Sequence, residues 1–215
     1  MTRQIRVGCE FQYSAEVETA AVFQVQASGA APATVIRQSW ETEPAVDRHA
    51  YTDLFGNHCQ RLSLPVGDTV LRYDAVAAVP DATEDVDLDA AEVPAAQLPD
   101  DVLVYTLPSR YCLPDVLGDE AWRLFGSEKP GYRRVRAISD HVHGHLTFGY
   151  GSSTPTTTAA EAYAAGQGVC RDFAHVAISF CRALSIPARY VFGYLPEMDV
   201  PPDPAPMDFA AWMEV

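Results

Sequence analysis

Apolar and polar residues alternate with a period of two through much of the first eighty positions. Ile5, Val7, Cys9, Phe11 and Tyr13 form one such run, and Phe23, Val25 and Ala27 a second. Leu62, Leu64 and Val66 form a third, followed by Leu71, Tyr73, Ala75, Ala77 and Val79. A strand buried on one face requires this pattern, because successive side chains point to opposite sides of the sheet. Turn-forming pairs, among them Ser28-Gly29, Gly56-Asn57 and Gly67-Asp68, separate the runs. Short strands at this spacing, with no strong helical period, predict an antiparallel β-sandwich.

The pattern changes after residue 80. Residues 80–101 are rich in Asp, Ala and Pro without periodicity and read as a surface loop or linker. Beyond them the spacing becomes helical. A short helix is predicted over Pro114–Phe125 and a longer one over Tyr132–Leu146. Thr158 is placed to cap a third over Ala159–Ala165. Phe173, Val176, Ala177, Phe180, Cys181 and Leu184 then form one stripe of a helix over Cys170–Leu184. Two strands follow, Ala188–Leu195 and Phe209–Val215, separated by a Pro-rich loop over 196–206. The predicted class is α+β: a β-rich domain over 1–108, including the 80–101 loop, and a helix-and-sheet domain over 109–215. A strand at the very end predicts an unpaired edge, and with it a domain truncated at its C-terminus.

Composition narrows the functions this chain can perform. Fifteen basic residues against 29 acidic ones give the 215-residue chain a formal charge of −14. That balance speaks against nucleic-acid phosphates or an anionic membrane surface as the main partner, since both demand clustered Lys and Arg. No apolar run reaches the roughly 20 residues of a membrane span, and no apolar segment follows the N-terminal charges as in a signal peptide. A cytoplasmic protein is the expectation. Five cysteines, widely spaced and odd in number, predict neither a disulfide framework nor a zinc ribbon.

Chemistry concentrates at Gly166-Gln-Gly-Val-Cys170-Arg-Asp-Phe-Ala-His175. A cysteine just past a Gly-rich turn, in the first turn of a helix, meets free backbone N–H groups that favour a thiolate. The same groups are placed to hold an acyl oxyanion. The plain alternative is a small buried side chain, the usual fate of a free cysteine. His175 lies five residues on, a rotation of about 140° around the helix from Cys170, which keeps its ring from the thiol. It reads as structural, turned toward a buried hydrogen bond. His141, His143 and His145 would share a face on a strand, but on the predicted helix His143 points away, so no metal site is expected. No cofactor is expected either.

The 166–175 stretch, together with Arg182-Ala-Leu-Ser-Ile-Pro-Ala-Arg-Tyr-Val191 and Gly193-Tyr-Leu195, resembles bacterial transglutaminase-like proteins. These belong to the papain-like superfamily that also includes cysteine proteases. The resemblance extends to Phe148–Ser153, Leu107–Cys112 and Tyr51–Asn57, and so spans nearly the whole chain, including the β-rich N-terminal region of such bacterial members. It implies a papain-like core with helices packed on an antiparallel sheet. It also implies a thiol hydrolase or acyl transferase acting on peptide amides through a Cys thioester, with a peptide or protein as partner. Cys170 would be the nucleophile and backbone oxyanion donor, with Gln167, Gly168, Arg171, Asp208 and Trp212 lining the cleft. The family's histidine stands in a His-Ala-Trp element. Here that element reads Asp208-Phe-Ala210-Ala-Trp212, so Ala210 occupies the histidine position. The triad aspartate is expected past Val215. The Ala210 substitution leaves a second expectation open, a catalytically impaired relative that binds peptides or protein partners in the same cleft.

Overall fold

The computed structural model describes residues 2–28, 32–81, 86–195, 199–201 and 207–215. Cα proximity divides the chain into two compact units. One comprises Met1–Glu84 with Gly193–Met207, and the other Asp85–Phe192 with Asp208–Val215. Against the ranges 1–108 and 109–215 read from the sequence, residues 85–108 thus go with the second unit and residues 193–207 with the first.

The first unit holds two three-stranded antiparallel sheets. In one, β1 (Thr2–Ala15) and β3 (Thr34–Glu43) flank β6 (Gly67–Pro80). In the other, β2 (Thr19–Phe23) and β4 (His49–Thr52) flank β5 (His58–Leu64). The register from Thr2↔Pro80 to Ala15↔Gly67 sets the inward positions of β1 beside Leu71, Tyr73, Ala75 and Ala77 of β6, which are all buried. Phe23 of β2 meets Phe11 and Tyr13 of β1 at ring distances of 5.7 and 5.8 Å, which joins the sheets as in a sandwich. Two expectations are corrected here. β2 ends at Phe23, where the sequence pattern has a strand beginning, and β3 and β4 carry no alternation that predicted them. Both β3 and β4 are edge strands and mostly exposed, so their side chains bear little imprint of a core.

The second unit is built around α4 (Cys170–Ala183), buried from Ala174 to Cys181. Helices α1 (Pro114–Phe125), α2 (Tyr132–His145) and α3 (Ala159–Ala165) pack on it, as does β10 (Ala210–Glu214), which lies beside β9 (Arg189–Gly193). A two-residue parallel pair, β7 (Thr147–Phe148) with β8 (Gln167–Gly168), completes the unit. The predicted helix boundaries agree with these within a residue, because each has an end signal. Pro114 starts α1 at a position where its missing N–H costs nothing. Thr158 and Glu161 close a capping box at α3. Gly166 ends α3 with φ 65°, a left-handed conformation that favours glycine.

The acidic segment is not a free linker where it is described. The Ala90 carbonyl accepts the Tyr132 N–H, Asp89 pairs with Lys129 and Arg133, and Glu92 with the buried Arg134. Its carboxylates thus meet the basic first turns of α2, and 3-10 turns follow at Ala95–Gln97 and Asp100–Thr106. Most of the Pro-rich 196–206 loop lies outside the described residues. No helix among the described residues is long and apolar enough to cross a membrane.

Candidate active site

Three local features present Cys170. First, the strand pair holds the segment before it: the Thr147 N–H donates to the Gly166 carbonyl at 2.9 Å and the Gly149 N–H to the Gly168 carbonyl at 3.1 Å. Second, Gly168 admits the side chain of Asp172. A Cβ at 168 would lie 2.6 Å from the Asp172 Cβ and 3.0 Å from its Oδ2, too close for any other residue without a shift. Third, the fully buried Asp172 carboxylate accepts the Val169 N–H at 2.8 Å, fixing the entry to α4. The Val169 side chain has no acceptor to return, so half of a capping box is made. Intrahelical bonding begins with the Asp172 and Phe173 N–H groups on the Val169 carbonyl. The Cys170 and Arg171 N–H groups precede that first bond, as orphan donors at a helix start do.

Cys170 is partly exposed at the first position of α4, whereas Cys59, Cys112 and Cys181 are buried at 1, 3 and 0% exposure. Burial pushes the Cys112 thiol up, and pushes Cys181 up to about 12. Arg171 is committed locally: its Nη2 donates to the Thr154 carbonyl at 2.7 Å and to Ser153 Oγ at 3.1 Å, and lies 3.5 Å from Asp172 Oδ1. It therefore ties the 149–157 loop to the start of α4. Arg189 donates to Glu214 at 2.7 Å.

Of the remaining cleft candidates, Gln167 is exposed on β8, and Asp208 is exposed with its Oδ1 accepting the Phe209 N–H at 2.8 Å. Ala210 opens β10 and Trp212, two residues on, is 40% exposed. The structure brings α4 and β10 into contact within one unit, and Ala210 contributes only a methyl group to β10.

His175 is buried, as expected, but among the described residues its Nδ1 has no hydrogen-bond partner. Its ring instead meets two tyrosines, parallel to Tyr111 at 5.2 Å and tilted against Tyr190 at 5.0 Å. Burial, and then the Arg171 charge, hold its pKa down at about 4. No sequence signal announced this stack, because Tyr111 is remote along the chain. Tyr190 senses charge at Cys170, and burial first and that charge second raise its phenol.

The histidine triplet falls on α2 as the helical reading requires. His141 and His145 stack at 5.6 Å while His143 is exposed. Their Nε2 atoms reach the Tyr163 hydroxyl at 3.2 Å and the Tyr163 carbonyl at 2.8 Å, and that hydroxyl donates to Glu120 at 3.1 Å. Burial, followed by the bond to the Glu120 carboxylate, pushes Tyr163 up to about 12. These rings hold α3 to α2 and α1, and no three potential ligands converge on a metal position among the described residues.

Known proteins point the same way as this geometry. Residues 121–215 match the model of the transglutaminase-like superfamily. An uncharacterized protein of Mycobacterium tuberculosis H37Rv is 35% identical over 88 residues, 41% of this chain and 28% of its own length. An uncharacterized protein of Mycobacterium leprae is 26% identical over 170 residues, 75% of this chain and 59% of its own. The chain thus spans well under a third of the first relative and about three-fifths of the second. A crystal structure from Cytophaga hutchinsonii, titled a "putative cysteine protease", superposes with a TM-score of 0.86 at 28% identity, over 100% of this chain and 74% of that one. With a cysteine opening the buried helix of a fold shared along its whole length, the chain carries a transglutaminase-like domain over residues 121–215.

Proposed function

We propose that this protein performs acyl transfer on peptide amides, with Cys170 as nucleophile. The observation that carries the reading is a partly exposed thiol at the first position of a buried helix, in a chain whose other core thiols are sealed. The Cys170 sulfur would attack the amide carbonyl, forming a C–S bond as the carbonyl oxygen takes up negative charge. The N–H groups at the start of α4 are the donors nearest that oxygen. Collapse would break the C–N bond, release the amine with a proton, and leave a thioester for water or another amine to resolve.

Ala210 supports a second reading of the same cleft. A methyl group neither accepts the thiol proton nor returns one to the leaving amine, and that role is worth about 10²–10⁴-fold. A chain with alanine there would bind peptides and turn them over slowly. Restoring the imidazole tests both readings. Ala210→His, in a chain that continues past residue 215, raises amide hydrolysis by at least about 10²-fold if Cys170 is a nucleophile awaiting its base. High activity without the change would mean that another base exists. An inert Ala210→His protein that still retains peptides would favour the binding reading.

A further inference from the structure

Phe148 and Tyr150 are large aromatic side chains left in the open on the loop that pairs with the segment leading to Cys170. They are 51 and 83% exposed, and their rings meet edge to face at 5.2 Å. Exposed apolar side chains are common singly, but a pair fixed beside a reactive group is a candidate contact surface. Four bonds hold this one in place. Phe148 is the register partner of Gly168, and the neighbouring Gly149 N–H donates to the Gly168 carbonyl. The Ser152 hydroxyl donates to the Gly149 carbonyl at 2.6 Å, and Arg171 holds Ser153 and Thr154. The loop that carries the pair is therefore anchored on both sides to the segment that carries Cys170.

The placement sets a distance scale. Paired strands lie about 5 Å apart, and two residues of chain add at most about 7 Å, so Phe148 stands within roughly 12 Å of Cys170 along the backbone. An extended peptide advances about 3.3 Å per residue, so a side chain up to three residues from the reacting carbonyl reaches the pair. Charge does not compete for this position, because the Arg171 guanidinium is spent on Thr154, Ser153 and Asp172.

We propose that Phe148 and Tyr150 form an apolar subsite that selects peptides with an aromatic or bulky aliphatic side chain within three residues of the amide attacked by Cys170. The proposal rests on the acyl-transfer reading, and the test separates the two. Peptidyl chloromethyl ketones react by thiolate displacement of chloride, forming a thioether, and need neither a base at 210 nor protonation of an amine. Probes carrying Phe at the first, second or third position from the reactive carbon are compared with an all-Gly probe, with iodoacetamide as a control too small to use the subsite. At least one Phe probe should label Cys170 about tenfold faster than the Gly probe. Tyr150→Ser, a change at a surface side chain that leaves the fold intact, should remove much of that preference, and Phe148→Ala with Tyr150→Ser the rest. Both should keep the iodoacetamide rate within about twofold. Equal labelling by all probes, or an undiminished preference in Tyr150→Ser, overturns the subsite. Failure of iodoacetamide itself to label Cys170 overturns the nucleophile reading, and the subsite with it.

Discussion

Iodoacetamide at pH 7 should modify Cys170 before any other cysteine in the folded protein. Alkylation requires a thiolate and a path for the reagent, and the five thiols differ in both. Cys181 has no exposed surface, and burial pushes its pKa up to about 12, so its thiolate fraction at pH 7 is about 10⁻⁵. An ordinary free thiol with a pKa near 8.5 is about 3% ionised there, which puts Cys181 roughly three orders of magnitude behind before access is considered. Cys112 is 3% exposed and is raised by burial, while Cys59 is 1% exposed between Gln24 and the Asn57 carbonyl. Cys9 is the closest competitor. It is partly exposed, but burial raises its pKa despite the Tyr194 hydroxyl that donates to its sulfur at 3.4 Å. Timed quenching followed by peptide mass mapping measures the five rates in one experiment, and a denatured sample supplies the ceiling. Labelling of Cys9 or Cys59 at a rate equal to that of Cys170 would refute the argument that the helix start exposes a usable thiol.

Gly168→Ala should destabilise the second unit by about 1–3 kcal/mol, because the new Cβ would strike the Asp172 side chain; an unchanged thermal midpoint would show that the entry to α4 gives way freely. His175 predicts an acid-dependent loss of stability. Its folded pKa of about 4 lies below the ordinary 6.5, so the unfolded chain takes up a proton in that window while the folded one does not. Stability from this source is complete above pH 6.5 and is lost as pH falls toward 4, by at most about 3 kcal/mol. His175→Phe keeps a ring against Tyr111 and Tyr190 and should flatten the denaturation profile between those pH values. A variant as acid-sensitive as its parent would contradict the assignment. Arg171→Lys keeps the charge but gives up the paired donors to Ser153 and Thr154. It should lower the preference for Phe probes while leaving iodoacetamide labelling of Cys170 in place.

Local rules gave the helices and the cysteine that opens α4, because each is marked by residues close together in the chain. The stripe of α4, the Thr158 and Glu161 cap, the glycines at 166 and 168 and the cysteine that follows them lie within some thirty positions. The edge strands β3 and β4 were illegible for the opposite reason: strands with little buried surface carry little hydrophobic pattern. Tertiary structure alone decided the contacts between residues far apart in the chain. It set Tyr111 and Tyr190 against the ring of His175, turned the acidic segment from a linker into a strap on α2, and left Phe148, the register partner of Gly168, and Tyr150 open. Those contacts join residues remote in sequence, and their energy comes from burial and charge pairing that exist only once the chain has folded.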